Sequence, residues 1–251
     1  MTCMSVFFGV LGLSALHEFS HIFVAKRAGV KLGLPIPLPS FQIGTYGNIT
    51  PLRSFPKNRS ALFDVSLSGP LFTSLVSILM MVVGIFLTIN TPTELISSLA
   101  VIPAALMKMS FLVGSITSFL APKIMMLPLS QPIPIHPIFL IGFAGLMSSA
   151  LNMLPVGRLD GGRACTAIFG RRLASTISFF TLMYIALSAL TGFSTISSFW
   201  VLMVTLFQRN IDIPTRDQLS ELNNMRRGVY IFSIVLTMLT LAPFPGIRGA
   251  L

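Results

Sequence analysis

The stretch His17-Glu18-Phe19-Ser20-His21 sits inside an apolar run that begins at the first residue, in a chain with seven carboxylates among 251 residues. Residues four apart share a face of an α-helix, so a helical run aims both imidazoles at one point and sets Glu18 beside them. Two histidines and an acid are costly inside a membrane unless something binds them. This residue set at this spacing holds a divalent metal, zinc first, with the acid placed to move protons.

The rest of the composition supports a membrane setting. The chain is 53% hydrophobic and 10% charged, with a mean hydropathy of +0.85, so the expectation is an all-α integral membrane protein. Apolar runs recur throughout without a long polar interruption, which argues for a single membrane-embedded domain over residues 1–251 and no accessory domain. The net charge of +10 would raise the question of nucleic acid in a soluble protein. Here the basic residues cluster in loops between apolar runs, where they encode topology, and no nucleic-acid partner is expected. Cys3 and Cys165 are too few for a disulfide framework or a thiolate metal site and read as packing residues. The first run lacks the basic segment and small-residue cleavage site of a secretory signal, so it is read as a retained helix.

The first helix is expected over residues 3–25, closed by Lys26 and Arg27 at a polar boundary, side A. Residues 31–60 are rich in Pro and Gly. Within them Gly44-Thr45-Tyr46-Gly47-Asn48 mixes strand formers with turn residues and predicts a small hairpin or re-entrant strand pair. Further apolar runs follow at 62–89, 137–154, 173–190, 193–207 and 229–241. Residues 94–121 are apolar but broken by Pro103 and Lys108.

A third metal ligand decides whether 94–121 spans. Catalytic zinc usually has three protein ligands and an open position. His136 opens the run before Asp160 and, on a continuous helix, would lie about 36 Å from it. Asp160 directly follows a membrane run and precedes Gly161-Gly162, which allow the tight turn needed to aim a carboxylate. Asp64 is the rival, although Arg59 nearby offers it an ion pair. For Asp160 to meet His17 and His21, the run from Pro137 must travel in the direction of the first helix, so one crossing separates them. The helix at 62–89 supplies it, and 94–121 is then a non-spanning segment.

Charge agrees with six transmembrane helices. That topology puts Lys26, Arg27, Lys31, Arg53, Lys57, Arg59, Arg158, Arg163, Arg171, Arg172, Arg209, Arg216, Arg226 and Arg227 on side A. These are fourteen of the seventeen basic residues. If 94–121 spanned, the bias would disappear.

Asn152-Met153-Leu154-Pro155, followed by Asp160-Gly161, forms a second motif. Together with the histidine helix it resembles the site-2 protease family of intramembrane zinc metalloproteases, in the right order and separation. Gly44-Thr45-Tyr46-Gly47, Ser68-Gly69-Pro70-Leu71, Leu159-Asp160-Gly161-Gly162-Arg163 and Phe207-Gln208-Arg209 look like its plastid and cyanobacterial branch, the ethylene-dependent gravitropism-deficient and yellow-green group. The resemblance covers nearly the whole chain. It implies a metalloprotease domain with one zinc ion on His17, His21 and Asp160, and Glu18 as general base. It also implies transmembrane protein substrates, regulated intramembrane proteolysis and a plastid or cyanobacterial-type membrane. Asn152 is the candidate donor to substrate backbone or oxyanion, with interhelical glue as its plain alternative. An extended substrate segment is expected to pair with the hairpin at Gly44, Thr45, Tyr46, Gly47 and Asn48. The rival function is a catalytically silent metal-binding chaperone or a transporter-like protein. A transporter predicts repeated halves, which the sequence lacks, and a silent relative predicts loss of one of the four motif residues.

Overall fold

The motif-bearing run forms one helix from end to end, α1 (Thr2–Ala28), with Lys26 and Arg27 in its last turn. The computed structural model of the chain describes residues 2–40, 44–190, 195–207 and 213–245. After α1 come β1 (Ile36–Ser40) and β2 (Gly44–Ile49), paired antiparallel from Ile36↔Ile49 to Ser40↔Gly44 with an irregularity at Leu38/Pro39. Asn58 then caps α2 (Arg59–Ile89) by accepting the Ala61 N–H, so this helix starts where the loop's polar side chain satisfies its first turn.

The expected non-spanning region is a series of short pieces. A 3-10 turn (Thr93–Ser98) is followed by β3 (Ala100–Pro103), α3 (Ala105–Lys108), α4 (Phe111–Leu120), α5 (Pro122–Met125) and β4 (Pro132–Ile135). Its longest helix, α4, has ten residues, about 15 Å of rise, half of a hydrocarbon core. β3 and β4 pair antiparallel from Ala100↔Ile135 to Pro103↔Pro132, a second ribbon that the prolines hide from a sequence reading.

α6 (Pro137–Asn152) is capped by His136, whose Nδ1 accepts the Ile138 N–H at 3.3 Å. This helix packs between α1 and α2 through small residues. A Cβ on Gly142 would meet the Ser77 carbonyl, and one on Gly145 would meet Leu13 and the Ser77 hydroxyl. Bare Cα atoms at these crossings let the three helices approach closely, as membrane helices do. The chain leaves α6 at Asn152 and turns before re-entering a helix at Asp160. His136 is therefore at the far end of a helix of about 24 Å, not at the end of a continuous helix reaching position 160.

α7 (Asp160–Leu190) is one helix only by hydrogen-bond pattern: Gly170 adopts φ 78°, ψ 168° inside it. The Gly157 N–H donates to Ser178 Oγ at 2.8 Å. Positions 157 and 178 on a straight helix would stand about 32 Å apart. The segment is thus an elbow of two arms, 160–169 and 171–190, and only the second has the length of a span. α8 (Thr195–Phe207) and α9 (Asn224–Leu241) complete the fold.

Among the described residues three helices, Met4–Ala28, Arg59–Ile89 and Asp160–Leu190, the last through its second arm, are long and apolar enough to cross a membrane by length and composition. Their outer faces carry large exposed apolar residues, including Phe8 and Phe19 on α1, Leu75 and Phe86 on α2, and Phe179 and Leu187 on α7. That is the surface of a protein whose solvent is lipid. Polar residues are buried instead where α1, α2, α6 and the start of α7 meet.

Candidate metal centre

His17 and His21, one turn apart on α1, are buried, with ring centroids 4.7 Å apart and planes inclined by 73°. Their Nε2 atoms lie 3.0 Å from each other, and Asp160 Oδ2 lies 3.2 Å from His17 Nε2 and 3.3 Å from His21 Nε2. Asp160 is the first residue of α7, so it opens that helix and faces the histidines at once. Among the described residues these three converge as a group able to hold a metal ion.

The donor set fits zinc. Four ligands at 2.0–2.1 Å in a tetrahedron stand about 3.3–3.4 Å from one another, and the triangle here has edges of 3.0 to 3.3 Å. His21 Nδ1 donates to the Val65 carbonyl at 2.7 Å. That bond fixes the tautomer and leaves the Nε2 lone pair facing the other two ligands. The Val65 carbonyl, on α2, also accepts the Ser68 hydroxyl at 2.8 Å. The His21 ring rests on Gly69, where a Cβ would come within 2.4 Å of Nε2.

Glu18 is buried and held by both oxygens. Asn48 Nδ2 donates to Oε1 at 3.1 Å, and Thr50 Oγ1 donates to Oε2 at 2.6 Å. Asn48 Nδ2 also reaches Ser14 Oγ at 3.0 Å. Arg163, on the first arm of α7, donates to the Thr50 carbonyl at 2.8 Å, tying the end of the hairpin to the helix that carries Asp160. β2 therefore orients the acid, and one buried loop joins both motifs.

Asn152, at the end of α6, is 1% exposed, and neither its Oδ1 nor its Nδ2 finds a hydrogen-bond partner among the described residues. Buried amides are rarely left so, because the desolvation cost is about 1–3 kcal/mol. The amide faces β2 at Gly47, whose φ is 105° and where a Cβ would come within 1.8 Å of Nδ2. Thr45, Gly47 and Asn48 line a cavity of about 20 Å³ that reaches His17 and Ser148. Gly44 is exposed at the strand's start and Thr45 is half-buried. The backbone of Tyr46 continues the strand.

Set against known sequences, residues 5–192 match the model of peptidase family M50. The chain belongs to that family. It is the family of site-2 proteases, so the two motifs that meet in space are those of an M50 membrane protein. The chain is 34% identical over 243 residues to "Probable zinc metalloprotease EGY1, chloroplastic" of Oryza sativa subsp. japonica, covering 96% of this chain and 41% of that protein. The Arabidopsis thaliana protein of the same name is 33% identical over 236 residues, covering 94% and 42%. "Probable zinc metallopeptidase EGY3, chloroplastic" of Arabidopsis thaliana is 28% identical over 247 residues, covering 96% and 43%. The chain spans about two fifths of the length of these curated relatives. No solved structure matches.

The other ligand candidates lie elsewhere in the M50 fold. Asp64 forms a two-pronged ion pair with Arg226, at 2.7 and 2.6 Å, and not with Arg59, whose guanidinium donates to the carbonyls of Ala167 and Ile168. Cys165 is buried in the core of the first arm of α7, the packing role expected of it. Asn48 was expected along the substrate strand, yet its side chain is engaged by Glu18. Thr50 and Val65 were missed as partners of the motif. The first is legible from strand period, since residues 48 and 50 must share a face. The second acts through a main-chain carbonyl and carries no letter.

Proposed function

We propose that this chain is a zinc metalloendopeptidase of the site-2 type that hydrolyses peptide bonds within or near transmembrane segments of other membrane proteins. The observation that carries this reading is the meeting of His17, His21 and Asp160, the latter 143 residues from His17, at one buried point beside a carboxylate. Relatives named as chloroplastic zinc metalloproteases support the same reading and a plastid or cyanobacterial-type membrane.

In this reading His17 Nε2, His21 Nε2 and Asp160 Oδ2 hold one zinc ion. When bound, zinc acts as a Lewis acid that brings the pKa of water to roughly 7 and polarises a carbonyl. Glu18, steadied by Asn48 and Thr50, takes the proton of the attacking water and returns it to the leaving amine. Asn152 supplies its unpaired Nδ2 donor to the substrate carbonyl or the developing oxyanion, which offsets the cost of burying that amide. Gly44, Thr45, Tyr46, Gly47 and Asn48 form the rail along which an extended substrate strand lies. β1 carries Pro37 and Pro39, which have no N–H, so its outer edge is a poor template for an added strand. The β2 side facing Asn152 is the productive one. A cavity of about 20 Å³ admits one water, so substrate entry requires the hairpin to move away from α1 and α6.

The proposed topology has six spans: α1, α2, α6, the second arm of α7, α8 and α9, with 94–121 lying along the side opposite the basic cluster. No sequence repeat favours a transporter, and all four motif residues are present where a silent chaperone would have lost one.

The test is cleavage of a transmembrane substrate by reconstituted wild type and Glu18→Gln, each assayed for bound zinc. The expected result is zinc in both proteins and a loss of activity of at least about a hundredfold in the variant. Equal cleavage by both would remove Glu18 from the mechanism, and no cleavage by either across lipid compositions would leave the metal-binding chaperone.

A further inference from the structure

The two arms of α7 enclose a cavity of about 880 Å³ that takes no part in the chemistry above. Five arginines line it: Arg59 from α2, Arg158 from the turn before α7, Arg163 from the first arm, and Arg171 and Arg172 from the start of the second. Residues 213–218 close one side, held to the loop before α2 by the Arg216 N–H on the Pro56 carbonyl (2.9 Å) and the Asp217 N–H on the Lys57 carbonyl (3.1 Å). Asp217 is charged at neutral pH, its carboxyl held below the usual range by the backbone N–H groups of Leu219 and Ser220. Asp217, the one acidic residue of 213–218, stands against five arginines on the wall.

Helix geometry points the same way. The break at Gly170 creates a second helix start inside the cavity. The first turns of both arms, represented by Gly162 and by Gly170 to Ala174, line its wall. Free N–H groups and the positive end of the dipole at a helix start favour an anion. The hydroxyl of Ser175 adds a neutral donor, while those of Thr166 and Thr176 donate to the Gly162 and Arg172 carbonyls. Arg59 and Arg163 already donate to main-chain carbonyls and add charge, and with Arg158, Arg171, Arg172 and two helix starts around one space they make a recognition set for phosphate, which guanidinium binds bidentately. The volume exceeds what a bare phosphate fills and falls in the range of sites for organic ligands.

We propose that the elbow of α7 binds a phosphate-bearing ligand through Arg171, Arg172 and the arginines facing them. The ligand is an anionic glycerolipid headgroup entering from the membrane surface or a soluble phosphorylated molecule entering from side A. Because Gly157 and Arg158 belong to both the cavity wall and the turn that presents Asp160, the bound anion braces that turn.

The test uses the purified full-length chain and reads binding, not proteolysis, so it stands whether or not the protease reading holds. Lipid retention is measured by native mass spectrometry from nanodiscs containing phosphatidylglycerol or phosphatidylcholine, and pyrophosphate is titrated calorimetrically. Selective retention of phosphatidylglycerol identifies a lipid source, and pyrophosphate binding without lipid selectivity identifies a soluble one. Whichever probe binds is expected to bind at least about tenfold more weakly to Arg171→Gln/Arg172→Gln, and also to Ser175→Asp, which sets a carboxylate in the wall. Arg53→Gln/Lys123→Gln, outside the cavity, is expected to bind like wild type. Absence of binding by every probe, equal binding by wild type and both cavity variants, or equal weakening by the outside pair would each overturn the proposal.

Discussion

Glu18 shows how a single strand face can prepare an acid. Asn48 on β2 and Thr50 just beyond its end stand two residues apart, and each gives a hydrogen bond to one carboxylate oxygen. Removing the shorter bond leaves Glu18 buried with half of its support. Thr50→Val is expected to lower kcat by about 10–100-fold, the usual cost of losing such a supporting contact. KM and zinc content should hold, and Thr50→Ser should restore most of the rate because it keeps the hydroxyl. A fall in zinc content that accounts for the lost rate would instead make Thr50 a packing residue. The metal pair itself was fully legible, since helix spacing alone aims His17 and His21 at one point. Asp160 was legible through topology and the glycines after it. The supports were not, because they depend on which strand face turns to α1 and on the main-chain carbonyl of Val65.

At the scale of elements, the elbow of α7 is the feature that an apolar pattern does not reveal. The sequence marks a span beginning near Leu173 but says nothing of the arm before it. The first arm is short and buried over 160–165, and the period is helical in both arms, so only the backbone of Gly170 records the turn. Its φ of 78° with ψ 168° is territory that glycine alone occupies without strain. Open space surrounds the position, so a Cβ there meets no neighbour. Gly170→Ala is therefore expected to cost about 1–3 kcal/mol from backbone strain alone, seen as a lower Tm in detergent with zinc content unchanged. An unchanged Tm would mean the two arms can join as one straight helix. The ribbon of β3 and β4 was hidden for another reason: Pro103, Pro132 and Pro134 contradict strand propensity, and an isolated edge pair tolerates them where a central strand would not. The pair of β1 and β2 was legible only coarsely: the β-formers at 45–50 mark a strand region, while Gly44 and Gly47, which read as turn residues, lie within β2.

For the whole molecule, membrane sidedness links charge to chemistry. In the proposed topology the positive-inside bias puts the motif-bearing end of α1 and the elbow cavity on one side and 94–121 on the other. With Cys3 and Cys165 replaced, single cysteines at Ser54, Ser175 and Thr93 in oriented membranes test this. A membrane-impermeant maleimide is expected to label positions 54 and 175 from one side and position 93 from the other. Labelling of all three from the same side would break the six-span topology. The order of the long helices was readable from apolar runs; their ends were not, since α6 is only about 24 Å long and stops at Asn152, where the chain turns and offers Asp160.

The most direct measurement is the zinc content of purified protein, taken side by side for wild type, Asp160→Asn and Asp64→Asn. Asp64 is paired with Arg226 away from the histidines, so its variant should keep one zinc per chain, as should wild type. Asp160→Asn should bind zinc at least about tenfold more weakly, because an amide replaces a charged ligand. Wild-type protein that binds no zinc, or an Asp160→Asn variant that holds it as tightly as wild type, would contradict the site on which this account rests.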